Sequence, residues 1–142
     1  MRRAVLVVPL VALGAAGCGG TKHAASPIAA TTTAAAPPAI RVAVSASHTV
    51  KANAKWPVTV RATDASGKPV SGTLTMNILL GGIPVGKVDN GRAWRISGSW
   101  HEPKGQEITW PAQAQGTAFG FQAIVRAHGQ TVKKTFYPVH VR

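Results

Sequence analysis

The residues able to do chemistry are few, and their spacing gives catalysis little support. The 142-residue chain holds four acids, Asp64, Asp89, Glu102 and Glu107. Acid–base work by paired carboxylates needs two acids in one pocket whose surroundings push their pKa values apart. A Ser–His–Asp set can be drawn from Ser97, His101 and Asp89, but no nucleophile elbow or oxyanion loop marks it. The histidines are His23, His48, His101, His128 and His140. None shares a His-x-x-x-His spacing with another, and no free cysteine is left to complete a zinc-type set. His101-Glu102 is the one His–carboxylate neighbour pair, and adjacent residues on a strand point to opposite faces. Gly81-Gly82 follows an apolar run without a helix behind it, so it is not a phosphate-binding loop. The expectation is a protein that is not an enzyme and carries no metal and no cofactor.

Binding is better supported than catalysis. The chain has 16 Lys and Arg, a formal net charge of +12. Without residues 1–17 it keeps 14 basic residues against the four acids, about +10. Such a field attracts polyanions. The basic residues are dispersed apart from Lys133-Lys134 and the pair Arg92 and Arg95, and the plainer alternative is a solvated surface. There are four tryptophans, Trp56, Trp94, Trp100 and Trp110. One or two of them should fill a core. "GSWHEPKGQEITW" (98–110) is polar between its two tryptophans, so Trp100 and Trp110, if exposed, could stack on sugar rings. Trp100, Trp110, Arg92 and Arg95 are therefore the candidate ligand-binding residues. Anionic lipid headgroups, phosphate-bearing wall polymers and acidic glycans are the candidate partners, with an envelope protein as a further one and nucleic acid disfavoured by export.

Export is read from the N-terminus, "MRRAVLVVPLVALGAAGC". Arg2 and Arg3 make a short positive region, and Ala4 to Gly17 is an uncharged, mostly apolar run of 14 residues. A transmembrane helix needs about 20 apolar residues, so this run suits a signal peptide better. It ends in Ala15, Ala16, Gly17 and the sole cysteine, Cys18. "AAGC" resembles a bacterial lipobox, with Ala15 where that family prefers Leu. The resemblance implies that Cys18 is diacylglycerylated and becomes the mature N-terminus. It places the protein at the cell membrane, facing outside the cytoplasm. Two acyl chains anchor stably where one is marginal. Residues 18–39 then read as the lipidated Cys and an Ala/Thr/Pro-rich tether, too poor in apolar side chains to offset its ordering entropy.

The elements that must position any site lie in residues 40–142, enough for one core. "IRVAVSAS" (40–47), "WPVTVRAT" (56–63), "GTLTMNILL" (72–80) and "AWRISGSW" (93–100) read as strands, and "TAFGFQAIVRA" (117–127) and "QTVKKTFYPVHV" (130–141) close the chain. Period-two alternation punctuated by Gly, Pro, Asn and Asp predicts an all-β sandwich of about seven strands. Leu74, Met76, Ile78 and Leu80 are expected on one buried face. A two-residue turn at His128-Gly129 would set Phe121 opposite Phe136 and lay the Tyr137 ring over Gly120. "VTVRATDASGKPVSGTLTM" (58–76) resembles bacterial immunoglobulin-like domains of surface proteins through Asp64, Gly67, Pro69, Val70 and Gly72. "AQGTAFGFQAIVRAHG" resembles a later turn and strand of the same domains, with Gly116 at the turn and Phe119 or Phe121 where a Tyr is usual. The resemblance implies an immunoglobulin-like sandwich used for binding, adhesion or scaffolding. It does not choose among these, because the fold hosts many functions.

Overall fold

The computed structural model describes residues 38–142. The expected signal peptide, Cys18 and nearly all of the tether lie outside the described residues. The described chain is an all-β sandwich. Its strands are β1 (Ile40–Ser45), β2 (Thr49–Val50), β3 (Lys55–Trp56), β4 (Thr59–Asp64), β5 (Ser71–Leu80), β6 (Ile83–Lys87), β7 (Trp94–Ser97), β8 (Ser99–His101), β9 (Ile108–Thr109), β10 (Ala118–Ala127) and β11 (Gln130–Val141). Short 3-10 turns occupy Val88–Gly91 and Ala112–Ala114. Nine strands share one hydrogen-bonded path in the order β1-β4-β8-β7-β5-β10-β11-β2, with β6 added on β5, while β3 and β9 form a separate ribbon.

The path becomes two layers because the run 93–100, expected as one strand, breaks at Gly98. β7 pairs with β5 and β8 pairs with β4, so the chain passes from one layer to the other at this residue. Gly98 has φ +75°, and a Cβ there would stand 2.6 Å from the Pro69 Cβ. Its N–H donates to the Val70 carbonyl at 3.0 Å and its own carbonyl accepts from the Ala62 N–H at 2.8 Å. Only glycine combines that backbone angle with that close approach.

Alternation fills the space between the layers. Val58, Val60 and Ala62 from one side meet Leu74, Met76, Phe121, Ala123, Val125 and Val139 from the other in a single buried cluster. Each Val, Leu or Phe taken fully out of water contributes about 1.5–3 kcal/mol. Trp56 lies at the centre, with ring centroids 5.6 Å from both Trp110 and Phe121, and its indole N–H donates to the Ser47 carbonyl at 2.8 Å.

The turns follow their chemistry. In the β4–β5 connection the Asp64 carboxylate accepts from the Ser66 N–H (2.8 Å), the Ser66 hydroxyl (2.7 Å) and the Lys68 N–H (2.9 Å). Gly67 takes φ +86° at the tip. This is the local bonding by which Asp replaces backbone partners in a turn. At the β10–β11 hairpin His128 and Gly129 take φ +49° and +73°, and Ala127 pairs with Gln130 and Phe121 with Phe136, as expected.

Two expectations fail at the far end of that sheet. Leu80 is 44% exposed, whereas Leu79 is buried. β5 outruns the core there, and the opposite face offers Leu79 the bare backbone of Gly120, whose hypothetical Cβ would lie 3.2 Å from the Leu79 Cβ. Leu79 therefore covers Gly120. The register of β10 and β11 shifts between Phe119 and Phe121, where Tyr137 and Pro138 together oppose Gly120, and Tyr137 stays largely exposed.

Candidate functional site

The predicted aromatic platform does not exist. Trp100 and Trp110 are both buried, at 6% and 4% exposure. Trp100 sits on β8 with its side chain toward the core and its ring 5.8 Å from Trp94; Trp110 packs 5.0 Å from Phe119. Sandwiching these rings removes far more apolar area from water than an exposed sugar-stacking pose would, and a ring so placed has no free face. Trp94 is half-buried, donates its indole N–H to Asp89 at 2.9 Å, and is covered by the Arg92 guanidinium at 4.0 Å from the ring centroid. Arg92 is thus engaged in a cation–π contact with the protein itself.

Ser97, His101 and Asp89 are not assembled into a catalytic set. Ser97 shares a hydrogen bond with Ser71 at 3.2 Å, His101 Nδ1 shares one with the Thr59 hydroxyl at 3.0 Å, and Asp89 holds Trp94. His101 lines an open depression of about 370 Å³ with Thr59, Arg61 and Pro69 on the outer face of β4 and β8. His48 stacks on Phe136 with centroids 4.3 Å apart and donates from Nδ1 to the Pro138 carbonyl at 2.6 Å, a structural position. Among the described residues no group of three His, Cys, Asp or Glu could hold a metal.

One carboxyl is unusual. Glu102 stands where β8 leaves the sheet, and its Oε1 accepts from the Ile108 N–H at 2.9 Å, closing the loop 102–108. Its Oε2 is buried without a hydrogen-bond partner. Burial, with the negative charges of Asp89 and Glu107 added to it, pushes the carboxyl up to about 7. Glu107 goes the other way: hydrogen bonding to the backbone and the Lys55 ammonium at 3.2 Å hold it below the usual range.

The register brings together a set of cations that spacing along the chain does not reveal. Residues directly opposite on neighbouring strands share a face. Across the outer face of β7, β5, β10 and β11 one row runs Arg95, Thr73, Arg126, Thr131. The next holds Thr75, Ile124 and Lys133. The third holds Lys87 on β6, Asn77, Gln122 and Thr135. Arg95, Arg126, Lys87 and Lys133 are all exposed. Neighbouring strands stand about 5 Å apart and successive rows about 7 Å. Four cations thus share one flat face with threonines and two amides between them. No carboxylate lies on it: Asp64 is in the β4–β5 turn, Asp89 holds Trp94, and Glu102 and Glu107 belong to the loop between β8 and β9. Of the four predicted ligand-binding residues, Arg95 alone belongs to this face. Lys87 and Arg126 were not singled out in the sequence, and Lys133 only as the neighbour of Lys134, because Lys87, Arg95, Arg126 and Lys133 lie on four strands whose order the sequence does not state.

The fold and the site define an all-β sandwich with a cationic, carboxylate-free sheet face. No family model, no curated protein and no solved structure matches the chain. Among the described residues no helix is long and apolar enough to cross a membrane.

Proposed function

We propose that this protein is an exported lipoprotein, anchored at the cell membrane through an acylated Cys18, whose immunoglobulin-like sandwich is a non-enzymatic binding module for an anionic polymer of the cell envelope. The observation that supports the binding half is the face bearing Arg95, Arg126, Lys87 and Lys133 with no acid among them. Charge-assisted hydrogen bonds from Arg and Lys to phosphate or carboxylate are about twice as strong as neutral ones. Spread over a flat sheet, they fit a repeating anion better than a single small ligand. The threonine hydroxyls between them suit phosphate or sugar oxygens. The immunoglobulin-like reading is supported by Asp64, Gly67 and Pro69, which form the β4–β5 turn where the resemblance puts a turn.

Two measurements test the two halves. Intact mass of membrane-extracted protein is expected to show a chain starting at Cys18 with added acyl mass; a soluble, unmodified chain refutes the anchor. Binding to poly(glycerol phosphate) is expected to weaken steeply with salt, because attraction between exposed charges is screened beyond a Debye length of about 10 Å at 0.1 M and each phosphate contact releases condensed counterions. Lys87→Glu, Arg126→Glu and Lys133→Glu together are expected to abolish it. Unchanged binding by that variant refutes the face, and capture of an envelope protein with no polymer binding favours scaffolding instead.

A further inference from the structure

All four exposed large apolar side chains of the described residues gather at one end of the molecule. They are Leu80 (44% exposed), Ile83 (68%), Val85 (56%) and Tyr137 (59%). Leu80 and Ile83 pair across the β5–β6 hairpin, and the Gly81-Gly82 turn joins them. Tyr137 and this turn border a common groove floored by Leu79 and Gly120. Every residue of β6 is exposed, and its outer edge pairs with no described strand.

The pairing shows that the tip is apolar on both sides. Leu80 lies opposite Phe119, on the core side of the sheet but beyond the core, and Ile83 shares that side. Tyr137, at the bulge beside Gly120, lies on the other side with Leu79 and Thr135. An apolar tip exposed on both sides fits a medium that surrounds it, such as the boundary of a bilayer. Strand addition along β6 is also obstructed, because Pro84 has no N–H and the register shifts beside it. Lys87 ends the same strand, and the carboxylate-free cationic face continues from it. Apolar side chains at a tip, an amphipathic tyrosine and neighbouring cations are the combination that seats an element about 5–10 Å into the boundary of an anionic bilayer.

We infer that the β5–β6 tip, through Leu80, Ile83, Val85 and Tyr137, inserts into the surface of an anionic lipid bilayer, with Lys87 at the headgroups. This contact is separate from acylation of Cys18, and although it shares Lys87 with the cationic face, the apolar side chains that carry it are not among the residues proposed to bind polymer.

The test uses the proposed mature chain, residues 18–142, with Cys18→Ser, which removes the sole native thiol and leaves out the apolar run Ala4 to Gly17. A nitroxide is placed on Val85→Cys or, as a control, on Ser66→Cys in the β4–β5 turn. On vesicles rich in phosphatidylglycerol the label at 85 is expected to be open to oxygen and shielded from an aqueous nickel reagent, and the label at 66 to stay aqueous. Phosphatidylcholine vesicles are expected to give neither signal. Ile83→Ser on the labelled chain is expected to weaken binding roughly tenfold, the effect of withdrawing one large apolar side chain from burial. An aqueous label at 85 on vesicle-bound chain overturns the inference, since it assigns binding to other residues. Equal shielding at 66 and 85, no binding to anionic vesicles, or shielding at 85 that needs a partner protein overturns it too. Polymer binding by the same variants is unaffected if only the tip inference fails.

Discussion

Phe121 and Glu102 carry the sharpest consequences of burial. Phe121 is fully buried, with its ring against Trp56. Truncating a buried Phe costs about 3–5 kcal/mol against a total of about 5–15 for a domain. Phe121→Ala is therefore expected to lower the urea midpoint by a large fraction, and an unmoved midpoint would remove it from the core. Glu102 has its pKa raised from the ordinary 4.5 to about 7, first by burial. The folded state then holds this proton more tightly than the unfolded state. The stabilisation is complete below pH 4.5 and is lost as pH rises through about 7. The carboxyl is half-buried and partly screened by water, so the loss is about 1 kcal/mol and not the full value of the shift. Melting temperature is expected to fall between about pH 5 and pH 8, and Glu102→Gln to flatten that interval. Asp64 and Glu107 have lowered pKa values, and their stabilisation is lost only at more acidic pH. A wild-type curve flat from pH 5 to 8 would contradict the burial of Glu102.

At the scale of elements, the β7–β8 crossing rests on one residue. A side chain at Gly98 meets both a left-handed backbone angle and Pro69 at 2.6 Å. The backbone term alone costs about 1–2 kcal/mol, and the clash adds to it. Gly98→Ala is expected to destabilise by more than 2 kcal/mol in chemical unfolding (roughly, from that backbone term plus overpacking). Gly67→Ala, strained but with nothing within 4 Å of its Cβ, is the control expected to cost less. Equal losses at the two sites would show that the Pro69 contact is immaterial. The β10–β11 hairpin was readable in advance because its turn and both arms are local: His128-Gly129 sets the register, and Phe121 meets Phe136. The bulge at Tyr137-Pro138 was not, because it depends on Leu79 arriving from β5 to cover Gly120.

Across residues 38–142, apolar packing does the work that a disulfide does in many β-sandwiches. The described residues contain no cysteine. One cluster links both layers and includes Trp56, Trp100 and Trp110. The full chain is expected to unfold and refold with superimposable circular-dichroism curves whether or not reductant is present. A loss of refolding in reductant would point to an intermolecular bond through Cys18.

Alternation, turn residues and the lone cysteine are local patterns, and they carried the all-β class, the long strands β1, β4, β5, β10 and β11, the β4–β5 and β10–β11 turns, and the expectations about Cys18, but not the break of 93–100 at Gly98 or the strand β6. A period of two states which residues share a face of one strand, since it depends only on backbone geometry. It does not state which strand lies beside which. That order depends on long-range packing, and only the tertiary structure decided it. Trp100 and Trp110 became core because the second layer closes over them, and Arg95, Arg126, Lys87 and Lys133 became neighbours because β5 lies between β7 and β10 and carries β6. The apolar tip exists for the same reason: β5 and β6 extend past the point where the opposite layer ends, so side chains patterned for burial meet no protein there.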